Sequence, residues 1–114
     1  MTTRRISGQL LLPAQTPAAQ GLRVRVEVRD VSLQDVASVL VAAQVMEGVA
    51  IAPGQGLAFE LMAPEVPPGR SHALQVRVEQ GGASARLLLL STVAQPLPAK
   101  GELSGLELTL TPAS

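Results

Sequence analysis

The chain contains no cysteine, tryptophan or tyrosine, and only one phenylalanine and one histidine. Without cysteine the chain as given has no disulfide, thiolate metal site, cysteine nucleophile or lipid-modified cysteine. With Phe59 as the lone aromatic, bases and sugar rings find no stacking platform. Neither sign of charge is in excess, since nine Lys and Arg oppose nine Asp and Glu. A nucleic-acid or anionic-membrane binder needs a positive surplus, so composition argues against both. Long apolar runs are missing as well. No stretch approaches the roughly 18 apolar residues of a membrane span. After Arg4-Arg5 the run Leu10 to Leu12 ends at Pro13, too short for a secretory leader. The twin arginine therefore reads as the solvated end of a strand. As written, the chain is expected in the cytoplasm; a leader removed upstream would place it in the periplasm or at the outer membrane.

What remains is a chain of 114 residues, 46% hydrophobic and 16% charged. That is one domain over residues 1–114, apolar enough to bury a core. Residues 22–29 alternate cleanly: Leu22, Val24, Val26 and Val28 share one face, and Arg23, Arg25, Glu27 and Arg29 the other. Period-two alternation with β-branched residues predicts a strand with one wet face. Residues 74–79 repeat the pattern, and 106–111 do so again. These three segments are expected to bury Val24, Val26, Val28, Leu74, Val76, Val78, Leu106, Leu108 and Leu110. Residues 6–12 and 57–61 add short strands, and residues 71–93 read as a hairpin turning at Gly81-Gly82. Val39 to Val49 is apolar on both parities, which fits a helix or a strand buried on both faces, and its Val, Ala and Gly content among neighbouring strands favours the strand. Val31 to Val36 breaks the alternation and has room for a short helical turn. Gly105 marks a bulge or a strand start. Pro and Gly cluster at 13–21, 53–56, 64–69 and 96–101, between these segments. The sum is an all-β, single-domain antiparallel β-sandwich of about seven strands, immunoglobulin- or transthyretin-like in type.

Catalytic chemistry is thin. His72 shares parity with Leu74, Val76 and Val78, so it points toward the core at a strand entrance. Its neighbour Ser71 points the opposite way, so the two form no local nucleophile–base pair. Asp30 reads as a turn residue ending its strand, and Asp35 as a turn or helix-start residue. An enzyme using His72 with Asp30 or Asp35 is the weakest of the readings. One histidine and scattered carboxylates propose no metal site. Gly54-Gln55-Gly56 precedes a strand, whereas phosphate-binding loops follow one, so it reads as a turn. No catalytic, cofactor or metal residue is assigned. Arg23, Arg25, Arg29 and Arg77 share wet faces with Glu27 and Glu79, which predicts cross-strand ion pairs. Leu87 to Leu90 is more informative. Alternation puts Leu87 and Leu89 on one face and Leu88 and Leu90 on the other, and the core takes only one pair. The outward pair, assigned to Leu88 and Leu90, is the candidate partner-binding surface.

The order of segments resembles the YbaY/YscW-type family of small bacterial lipoproteins, which includes pilotins of type III secretion systems. The resemblance rests on Ile6-Ser7-Gly8-Gln9-Leu10 through Pro13, on Val26 to Ser32, and on Leu57-Ala58-Phe59-Glu60-Leu61. Ala73 to Glu79 and Leu87 to Thr92 complete it. The corresponding family pieces are an I/V-x-G start with a later Pro, an L-x-D-V-S strand end, an F-x-L strand, and an L-x-V-R strand before a Gly turn. The family's lipidated cysteine is absent, and His72 stands near where relatives often carry an aromatic. The resemblance implies a compact β-sandwich without enzyme activity or cofactor. It also implies a pilotin-like chaperone that binds a segment of a secretin or another envelope protein. The alternative is a structural or assembly subunit that self-associates through an apolar sheet face. The expected partner is thus a protein or peptide, or a second copy of the chain, with no nucleic acid.

Overall fold

The computed structural model describes residues 3–16, 18–33, 37–80, 86–91 and 95–112. They form nine strands: β1 (Thr3–Leu11), β2 (Ala19–Asp30), β3 (Val39–Ile51), β4 (Gly56–Pro64), β5 (His72–Gln80), β6 (Arg86–Leu90), β7 (Gln95–Pro96), β8 (Leu103–Thr109) and β9 (Thr111–Pro112). Seven have five residues or more, and β7 and β9 have two each. The fold is all-β, with no helix among the described residues.

The strands form two sheets. One has the order β4-β1-β8; the other runs β3-β2-β5-β6-β9, with β7 also pairing with β5. All pairings are antiparallel except β1 with β8, which is parallel. That parallel pair is a departure from the purely antiparallel expectation. Period-two patterning is alike for both pairings, so only the chain's route reveals it.

Alternation decides the core. Val24, Val26 and Val28 of β2 pair with Val78, Val76 and Leu74 of β5, and all six are at most 1% exposed. Ile6 and Leu10 of β1, with Phe59 and Leu61 of β4, close over them from the smaller sheet as part of one cluster. Each such side chain gains roughly 1.5–3 kcal/mol on full burial. Leu108 and Leu110 are buried as expected, but Leu106 is only half-buried. A bulge precedes it: Ile6 pairs with Leu103 and Gly8 with Leu106, so β8 carries one extra residue there. Gly105, at φ 68°, supplies the bend.

The two sheets are joined along both sides. On one side residues 103–112 run from β8 in the small sheet directly into β9 in the large one. Leu110, between them, is fully buried and its N–H donates to the Leu11 carbonyl at 3.0 Å. On the other side β3 and β4 approach, and the Glu60 N–H donates to Gln44 Oε1 at 3.1 Å.

Two local expectations change. β3 is a strand, but it is not buried on both faces: Val39, Leu40 and Val45 are exposed. It lies at the rim of its sheet, with β2 as its only ladder partner among the described residues and β4 touching its far side, so part of it stays uncovered. Val31 to Leu33 form no helical turn, and residues 34–36, with Asp35, lie outside the described residues. At Arg4-Arg5 only Arg5 is solvated. Arg4 faces inward with Ile6, is 5% exposed, and reaches the Gly101 carbonyl at 3.3 Å. β5 and β6 pair antiparallel as a hairpin requires, though their connection at 81–85 also lies outside the described residues.

Candidate protein-binding site

The outer face of the large sheet carries the polar half of each alternating strand. β2 presents Arg23, Arg25, Glu27 and Arg29; β5 presents Gln75, Arg77 and Glu79. Their register sets Arg25 directly opposite Arg77, Glu27 opposite Gln75 and Arg23 opposite Glu79. Although register sets Arg23 opposite Glu79, no Arg–Glu ion pair between β2 and β5 lies within 4.0 Å among the described residues. Arg23 turns to β3 and meets Glu47 at 2.7 Å. Arg29 and Arg25 both reach Glu27 on their own strand, at 3.2 and 3.9 Å. Arg29 also donates to the Ser38 hydroxyl at 2.7 Å and to its carbonyl at 3.0 Å. Glu27 is only 4% exposed under these side chains. Arg77 has no acidic partner within 4.0 Å among the described residues.

A pocket of about 350 Å³ opens here, with Glu27, Arg29, Gln75 and Arg77 on one side and Leu87 and Leu90 on the other. The leucine run does not keep its alternation. Val78 pairs with Leu89 and Glu79 with Leu87, so Leu88 sits in a bulge. Leu89 is buried, Leu88 is half-buried against the core, and Leu90 lines the pocket with Leu87. Leu88 and Leu90 thus do not share a face. Ser91 fixes the end of β6, its N–H donating to the Val76 carbonyl at 3.0 Å while its hydroxyl accepts from the Val76 N–H at 2.9 Å. A second, polar depression of about 470 Å³ lies by Ser7, Gln9, Gln44 and Glu60.

The candidate acid–base residues meet at the far end of the sheet. His72 opens β5 opposite Asp30, the last residue of β2, and is buried. Its Nε2 stands 3.9 Å from Asp30 Oδ2, beyond hydrogen-bond distance, and its Nδ1 has no protein partner among the described residues. Asp30 is engaged elsewhere. It accepts from the Ser32 hydroxyl at 2.6 Å, the Ser32 N–H at 2.9 Å and Arg70 Nε at 2.8 Å. The Ser32 hydroxyl hydrogen bond, then its backbone N–H and Arg70, hold the Asp30 pKa down at about 2. Ser32 Oγ in turn accepts from the Ser71 N–H at 2.8 Å. A hydroxyl whose proton points at a carboxylate, with the imidazole outside reach, ties two loops together; it does not form a nucleophile–base–orienter chain. Gly54-Gln55-Gly56 is the turn its residues predict: Gln55 N–H donates to the Ala52 carbonyl at 3.2 Å and Gly54 takes φ 69°. Among the described residues no three His, Asp or Glu gather as a metal-ligand group. No helix there is long and apolar enough to cross a membrane.

Leu90 carried a sequence signal, the leucine run. Arg25 and Arg77 became neighbours only through strand register, which no local pattern encodes.

Comparison with known proteins agrees with this architecture. Among solved structures, the alternative pilotin from the type II secretion system of Vibrio cholerae superposes with a TM-score of 0.68. It is 18% identical in sequence, and the alignment covers 96% of this chain and 98% of that one, a likeness of fold. No curated protein sequence is significantly similar. The profile of one family, described as the type III secretion system lipoprotein chaperone YscW, matches residues 1–110. With nearly the whole chain matched and the sandwich in place, the protein belongs to the YscW family.

Proposed function

We propose that this protein is a non-enzymatic, pilotin-like chaperone of the bacterial envelope that holds a segment of a secretin. The binding surface is the outer face of the large sheet around Leu90; Leu88 supports it from the core side. The observation that carries this reading is the pocket between β2, β5 and β6, where leucines and hydrogen-bonding side chains border one recess. Apolar anchors beside polar groups that fix orientation are what a peptide site requires. Family membership supports the chaperone role, and the Vibrio cholerae pilotin of like fold supports a secretin as the client. Overlapping peptides tiled along a secretin sequence should include one contiguous stretch that binds at about micromolar Kd. Leu90→Lys should abolish that binding while the protein keeps its thermal melt. A tile set with no binder at all sinks the proposal.

A second reading rests on β3. Its exposed Val39, Leu40 and Val45 lie on a rim strand and suit pairing with another copy of the chain. Sedimentation equilibrium separates the two: a stable dimer lost in Val45→Lys favours self-association, and a monomer removes it.

A further inference from the structure

We infer that the segment held in the Leu87–Leu90 pocket is acidic, offering carboxylates to Arg25 and Arg77 and an aliphatic side chain to the leucines. The inference rests on the peptide-binding reading above and names the chemistry of the occupant.

Arg25 and Arg77 face each other directly across β2 and β5. Like charges in directly opposed positions weaken a sheet, so folding stability alone does not account for the pair. Little nearby offsets it. Among the described residues Glu27 is the one carboxylate within 4.0 Å of Arg25, and Arg29 holds it at 3.2 Å, closer than Arg25 at 3.9 Å. Arg23 and Glu47 neutralise each other at 2.7 Å on the β3 side. Glu79, two residues from Arg77 on the same face, stands opposite Arg23 and Leu87. Arg25 and Arg29 thus share one buried carboxylate, while Arg77 has no acidic group within 4.0 Å among the described residues, and Oε1 of Glu79, its nearest acidic neighbour along β5, lies buried without a hydrogen-bond partner there. The surplus lies beside apolar surface: Arg77 pairs across the ladder with Leu90, and both line the pocket.

Guanidinium groups present paired N–H donors that match a carboxylate's two oxygens. A bound carboxylate between Arg25 and Arg77 turns their repulsion into two attractions. A side chain one or two residues along then reaches Leu87 and Leu90. A recess, rather than a flat surface, suits an extended peptide better than a membrane.

The test uses labelled ten-residue peptides that alternate Leu with Glu, Gln or Lys, titrated by fluorescence anisotropy. The Leu/Glu peptide should bind at least about tenfold tighter than the other two. Arg77→Gln, and separately Arg25→Gln, should each weaken that peptide about 3- to 10-fold and leave the Leu/Gln peptide unchanged. Arg77→Gln should not lower the melting temperature, since it relieves repulsion and Arg77 has no acidic partner within 4.0 Å among the described residues, whereas Arg25→Gln also gives up a contact with buried Glu27. Equal affinity for the Glu and Gln peptides, or indifference to both substitutions, overturns the inference. So does Arg77-dependent retention on phosphatidylglycerol vesicles without Leu/Glu binding, which would assign the face to lipid. Secretin tiles that bind regardless of their acidic residues sink this inference and leave the chaperone reading standing. Leu/Glu binding without any secretin binder does the reverse.

Discussion

At Gly8 the small sheet has no space for a side chain. A Cβ there would fall on the Leu106 carbonyl oxygen and within 2.7 Å of its carbon, in the strand alongside. Backbone cannot rotate away as a flexible side chain can, so Gly8→Ala must push β8 off β1. We expect a cost of about 2–3 kcal/mol in urea unfolding. Gly48→Ala is the control. Gly48 has φ 64° and open space around it, so only its backbone conformation is strained, at roughly 1 kcal/mol. Equal losses at the two sites would show that the close approach is not what constrains Gly8. Asp30 makes a second prediction. Its pKa falls from 3.8 to about 2 because Ser32 and Arg70 bond its charged form. A folded pKa below the unfolded one favours folding fully above the unfolded value, and this contribution disappears as pH falls through the folded value. Denaturation midpoints measured from about pH 5 down to about pH 2 should drop more steeply in the parent than in Asp30→Asn. Parallel curves would refute the linkage. The sequence reading recognised Asp30 as a strand-ending turn residue, and that is its place. Arg70 went unrecognised because it lies forty residues on, in a loop that only the fold brings close.

At the scale of single strands, legibility followed how regular the pairing is. β2 and β5 keep a continuous register over nine residue pairs, and every inward residue named from their alternation is buried. β3 misled because apolar residues on both parities usually mean two covered faces, whereas its covering stops at a rim. β6 misled differently. Strict parity predicts two leucines on each side, but the bulge opposite Val78 and Glu79 turns Leu88 toward the core and leaves Leu87 and Leu90 together. These contacts predict an ordering. Leu88→Ser should cost about 1–3 kcal/mol, since it strips packed methyl groups from the core margin. Leu90→Ser should cost about 1 kcal/mol or less, its surface being shared with the pocket. Urea unfolding of the two variants decides it, and the opposite order would return β6 to plain alternation.

For the molecule as a whole, composition and strand spacing were enough to indicate one all-β domain with a shared core. They could not show how the two sheets close. β1 pairs in parallel with a strand that starts at Leu103, and such distant partners leave no mark on local periodicity. The binding face was legible in the same uneven way: the leucine run announced itself, while the opposed arginines belong to register alone. Closure by residues 103–112 also sets a timetable. β1 is made well before β8 and β9, yet one edge of β1 and the gap beside β6 wait for residues 103–112. Joining β1 to β8 also needs the longest loop closure among the described strand pairs, an entropic cost that local contacts do not offset early. Until residues 103–112 have been made, the growing polypeptide therefore cannot close its two sheets onto one another.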